Sequence, residues 1–165
     1  MKDAEKQLGL LGQYEVECVI VGGVAATLHG SSLTTRDLDV CYSRSPPNLI
    51  RIADALRSVK ARLRGAPEGL PFVLDQETLR RRLNFTFQTD IGHVDLLGEM
   101  AGVGGYGEAL EDADVMELFG FQFEVLSLPK LIAAKRAAGR TKDLLVIPEL
   151  EAIYEFQTRG KSERS

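Results

Sequence analysis

The stretch that decides the fold runs from residue 19 to residue 42, VIVGGVAATLHGSSLTTRDLDVCY. Cys18–Val21 is a short apolar run closed by Gly22-Gly23, which reads as a buried strand ending in a tight turn. Residues 24–28 are Ala-rich and helix-prone and stop at His29-Gly30. Leu38–Tyr42 is the next apolar strand, with Asp37 and Asp39 at its mouth on either side of Leu38.

Working outward, residues 4–11 read as a helix that ends near Gly12. Pro46-Pro47 opens a helix through Leu56, a position that proline tolerates. Leu83, Phe85 and Phe87 alternate with Asn84, Thr86 and Gln88, the period-two pattern of a half-buried strand. The turn at 90–92 leads straight into 93–97, so these two strands form a hairpin. Residues 115–118 and 121–125, joined through Phe119-Gly120, form a second one. Residues 129–138 and 142–156 read as helices, and 160–165 as a frayed tail. The expected result is an α/β (α+β) domain over residues 1–159, a mixed β-sheet flanked by helices.

Bulk properties set limits on function. With 165 residues, 44% hydrophobic and 27% charged, the chain is the size of one domain with one core, and disorder is excluded. A net charge of −4 disfavours binding of duplex nucleic acid through bulk electrostatics, although basic patches stand at 80–82 and 130–142. Residues 1–7 are polar and mixed in charge, without a signal-peptide core, and no apolar run is long enough to span a membrane. Cys18 and Cys41 each lie in an apolar run, as reduced core residues do, so a cytoplasmic protein is the simplest reading.

Acidic residues two apart are common. A chain of this size holds about two such pairs by chance, and this one has six, so spacing alone says little. Context separates Asp37/Asp39 from the rest, because the pair opens a buried strand. Side chains at i and i+2 share one face about 7 Å apart, where two carboxylates repel and are costly to desolvate. A divalent cation removes both penalties, and oxygen ligands from Asp suit Mg²⁺, with Mn²⁺ as the alternative. Asp95 lies in a third apolar strand. If that strand neighbours the one carrying Asp37 and Asp39, the three carboxylates could hold two metals about 4 Å apart, with Asp95 as candidate general base. Alternatively Asp95 caps its strand or pairs with His93. Gly22-Gly23 lets backbone approach a phosphate closely, or is an ordinary strand-to-helix turn. It lacks the G-x-G-x-x-G spacing of a dinucleotide site.

The strand, the Gly-Gly turn, the helix and the Asp-x-Asp strand, with a later carboxylate, resemble the signature of the DNA polymerase β-like nucleotidyltransferase superfamily. The 13 residues from Val24 to Arg36 between the glycines and Asp37 fit that pattern. His29-Gly30 and Thr35 resemble the branch containing AbiE-type toxin nucleotidyltransferases. So do Leu126 to Ile132 and the run Gly139-Arg140-Thr141-Lys142-Asp143-Leu144. The resemblance covers most of the chain and is weakest over 57–82. It implies a sheet of the nucleotidyltransferase type, with Asp37, Asp39 and Asp95 as catalytic metal ligands. Gly22, Gly23, Lys135, Arg140 and Lys142 would serve the nucleotide, and Asp143 would orient the basic groups. For Lys135, Arg140 and Lys142 the competing reading is a solvated helix face with ordinary ion pairs. Two positions depart from the pattern. Gly23 has no hydroxyl where relatives often carry Ser, and Leu33 stands where many carry Arg, with Arg36 nearby.

The function expected is transfer of a nucleoside monophosphate from an NTP to an acceptor hydroxyl, releasing pyrophosphate. The alternative is a nucleotidyltransferase-like binding module or one half of a toxin–antitoxin pair, with a cognate toxin or antitoxin partner. The acceptor could be tRNA, a protein or a small molecule. His29 and His93 are too few and scattered for a zinc site. His29 is expected to end its helix and His93 to line the cleft near Asp95. Leu83, Phe85, Phe87, Phe121 and Phe123 are expected to pack the sheet, and Arg80 to Arg82 to lie in solvent.

Overall fold

All four residues of β1 (Cys18–Val21) are buried, as a run without polar alternation requires. The computed structural model describes residues 2–67, 69–70 and 72–164. Before β1 comes α1 (Lys2–Gln13), and after it α2 (Gly22–Leu28), β2 (Leu38–Tyr42), α3 (Pro46–Ser58), β3 (Arg62–Leu63) and α4 (Gln76–Arg81). The hairpin β4 (Asn84–Thr89) and β5 (Gly92–Leu97) follows, then the short β6 (Glu99–Met100), β7 (Gly104–Gly105) and α5 (Tyr106–Leu110). A second hairpin, β8 (Asp114–Leu118) and β9 (Phe121–Val125), leads into α6 (Leu128–Ala138) and α7 (Thr141–Glu163).

Seven strands form one sheet in the order β3-β4-β5-β2-β1-β9-β8. It is mixed: β2 runs parallel to β5 and β1 to β9, while β1–β2 and both hairpins are antiparallel. Leu38, Val40, Cys41 and Tyr42 of β2 are all buried, so helices cover both faces of its centre. In that core each fully buried Leu or Ile contributes about 1.5–3 kcal/mol. Buried Asn48 at the start of α3 receives a hydrogen bond from Glu17 N and donates to Glu17 O and Ser43 O. It thereby ties the entry to β1 to the exit from β2.

α7 runs on past the expected helix end to Glu163, into the segment expected as a frayed tail, with Ser165 outside the described residues. Before that end, Glu155 pairs with Arg159 and Thr158 Oγ1 donates to Tyr154 O at 2.8 Å. Within 57–82, where the resemblance is weakest, lie β3 and α4. The guanidinium of Arg44 closes α4 by donating to the carbonyls of Arg80 and Arg82 at 2.8 Å, and their side chains face solvent as expected.

Candidate active site

Parallel pairing of β2 with β5 sets Asp39 directly opposite Asp95. Neighbouring strands lie about 4.8 Å apart, close enough for the Asp39 and Asp95 carboxyls to act on each other. Asp37, one residue before β2, joins the patch by the two-residue period. Burial pushes the Asp39 carboxyl up to about 7; Asp95 and then Asp37 add to the rise, and Lys135 opposes it.

The patch carries a cation of its own. Arg64, directly after β3, donates from Nη2 to Asp95 Oδ1 at 2.8 Å, and its Nη1 lies 3.7 Å from Asp37 Oδ2. On the other side of Asp37, His93 Nδ1 stands 3.2 Å from Oδ1. Among the described residues no three His, Cys, Asp or Glu side chains stand close enough together to hold a metal ion as placed. The side chain of Arg64 occupies an oxygen of Asp95 and stands close to Asp37.

The glycine turn lies against these acids. Gly22 has φ +64, a left-handed conformation, and a Cβ there would collide with Asp39 Oδ2. Gly23 is closed from another side: its Cβ would fall 2.8 Å from Thr35 Cβ and 2.9 Å from Thr35 Oγ1. Both glycines are thus required by neighbouring side chains. The loop carrying Thr35 is pinned to α7 by Glu149, which accepts hydrogen bonds from Ser31 Oγ, Ser32 N and Ser32 Oγ.

Facing the acids are the basic residues of α6 and α7. Asp143 is fully buried, and accepts from Lys135 Nζ at 3.1 Å and Arg140 Nε at 2.5 Å. Burial alone would raise its carboxyl, but the hydrogen bonds from Arg140 and Lys135 hold it below the usual carboxylate range. Lys142, exposed in the first turn of α7, completes the wall. A cavity of about 580 Å³ opens between Gly23, Thr35 and the three acids on one side and Lys135, Arg140 and Lys142 on the other. A second, of about 250 Å³, adjoins it through Asp39 and Lys135 and has apolar walls from Leu97, Met100 and Leu131.

No protein-family profile matches the sequence, and no curated protein is significantly similar to it. Solved structures do match. The antibiotic-resistance factor ANT(2'')-Ia superposes with a TM-score of 0.54 over 98% of this chain and 93% of its own, at 13% identity. This is a nucleotidyltransferase fold. TM1012 from Thermotoga maritima, provisionally assigned as a nucleotidyltransferase, is also similar, with a TM-score of 0.48, 16% identity and 96% of each chain covered.

On that fold, the residues expected to act together do lie together: Asp37, Asp39, Asp95, Gly22, Gly23, Lys135 and Arg140 line the two adjoining cavities, with Asp143 and Lys142 beside them. The donor chemistry, carboxylate oxygens from three Asp, is of the kind a hard divalent cation takes, although as they stand the three do not converge on one point. Arg64 was missed by sequence reading, because its link to Asp95 is made across β4 and no periodicity marks residue 64. His29, at the end of α2, is also buried, its Nε2 2.8 Å from Leu126 O. Both cysteines are buried and free, and burial pushes Cys18 up to about 12 and Cys41 to about 11, the behaviour of core thiols. Among the described residues no helix is long and apolar enough to cross a membrane.

Proposed function

We propose that the chain is a metal-dependent nucleotidyltransferase, which moves a nucleoside monophosphate from an NTP to an acceptor hydroxyl. The observation that carries this reading is the strand register that joins Asp39 to Asp95 across a cavity from Lys135 and Arg140. Asp37, Asp39 and Asp95 would hold Mg²⁺, or Mn²⁺, which when bound neutralises phosphate charge and acidifies a nearby hydroxyl. The remaining work falls to the chain's own groups. Lys135, Arg140 and Lys142 would meet the phosphates, with Asp143 fixing the first two, and Gly22 and Gly23 would let the backbone come close. Asp95 would take the acceptor's proton as its oxygen bonds to the α-phosphorus. The bond from that phosphorus to the bridging oxygen breaks, and pyrophosphate leaves. Positioning and charge stabilisation supply most of such catalysis.

The experiment is incubation with each α-³²P-labelled NTP and Mg²⁺ in the presence of tRNA, protein and small-molecule fractions of a cell extract. Label passing into one fraction, and not with Asp39→Asn, is the expected result. A second reading, a nucleotide-binding module that does not transfer, is favoured by the hold of Arg64 on Asp95. Nucleotide binding without transfer to any fraction would support that instead.

A further inference from the structure

We infer that Thr35 supplies, from the opposite wall, the phosphate-binding hydroxyl that the glycine turn lacks. The inference rests on the nucleotide site proposed above. The Thr35 side chain fills the volume a side chain at position 23 would occupy, with Oγ1 2.9 Å from the place of the absent Cβ. A serine at 23 and a threonine at 35 exclude each other, so only one residue can offer a hydroxyl there. Thr35 lines the cavity that also holds Asp37, Asp39, Lys135 and Lys142, where polyphosphate oxygens and their counter-charges would meet. Its hydroxyl is weakly engaged, donating to Asp37 O at a long 3.3 Å, so that a phosphate oxygen would be the stronger acceptor. The loop is fixed at its start by the three hydrogen bonds to Glu149, which places the hydroxyl before any ligand arrives. Thr35 is therefore assigned as a binding residue for the polyphosphate of the nucleotide, reached by side-chain exchange across the turn.

The test is calorimetric binding of Mg·ATP, Mg·GTP, Mg·CTP and Mg·UTP, and of inorganic tripolyphosphate with Mg²⁺, to folded wild type and variants. A hydrogen bond to a charged acceptor is worth about tenfold or more in affinity. Thr35→Val, which keeps the shape, should weaken the nucleotide that binds and tripolyphosphate alike by about that factor, while Thr35→Ser stays within about threefold of wild type. Thr35→Gly should lose binding, and Gly23→Ser/Thr35→Gly should regain it by returning the hydroxyl from the other side. Equal affinity of Thr35→Val and wild type overturns the inference, as does a loss for nucleotide but not for tripolyphosphate. If Thr35→Val does not fold, failure of the double variant to improve on Thr35→Gly overturns it. Wild type that binds none of these probes defeats the nucleotide site itself, a result distinct from either.

Discussion

At the scale of single residues, the site is built from side chains that leave one another no room. Gly22 opens α2 at φ +64 with Asp39 Oδ2 against its Cα. Gly22→Ala should lower the unfolding free energy by about 1–2 kcal/mol from the backbone alone, read by urea denaturation; unchanged stability would contradict the packing described. Asp39 has a carboxyl raised from 3.8 to about 7 by burial and by Asp95. The native state therefore holds a proton that the unfolded chain releases. Metal-free wild type should be stabilised relative to Asp39→Asn as pH falls from about 7 toward 4, and lose that advantage as pH rises through 7. A thermal-unfolding series across that window checks it, and the opposite slope would remove the shared burial of Asp39 and Asp95. Asp37, Asp39 and Asp95 were legible in the sequence because acids inside apolar strands stand out against their surroundings. Arg64 was not, since its significance arises from side-chain reach over β4.

Elements matter through the way α6 and α7 meet. Asp143 is the buried joint, held by Lys135 from α6 and by Arg140 at the start of α7. Asp143→Asn takes from the partly buried Lys135 the carboxylate it pairs with, and removing one partner from such a pair costs about 3 kcal/mol or more. Chemical denaturation should show that loss. Because its carboxyl lies below the usual range, the contribution of Asp143 is present above the ordinary carboxylate pKa and fades as pH falls through the lowered one. The sequence revealed both helices, α6 with Pro129 in its first turn. The resemblance marked Lys135 and Arg140 for the nucleotide and Asp143 as the residue that orients them, but not that Asp143 is fully buried between the two helices.

Across the whole molecule, both hairpins and the mixed character of the sheet could be read from local alternation. The strand order could not, because pairing of β2 with β5 and of β1 with β9 joins residues far apart in the chain. That order gathers the site, and it also brings the edge strand's Arg64 to Asp95 and Asp37. On the proposed reading Arg64 competes with a divalent cation for those carboxylates. Arg64→Gln should bind Mn²⁺ more tightly than wild type when no nucleotide is present, followed by electron paramagnetic resonance. Weaker binding would assign Arg64 to shaping the acids for the metal instead.

On the proposed function, the acids meeting at β2 and β5 make a nucleotide site. Its most direct test is a calorimetric titration of each NTP with Mg²⁺ into wild type and Asp37→Ala/Asp39→Ala. Binding by wild type that depends on Mg²⁺ and disappears in the folded double variant is the predicted result. A folded wild type that binds no NTP, or a double variant that binds as well as wild type, would contradict it.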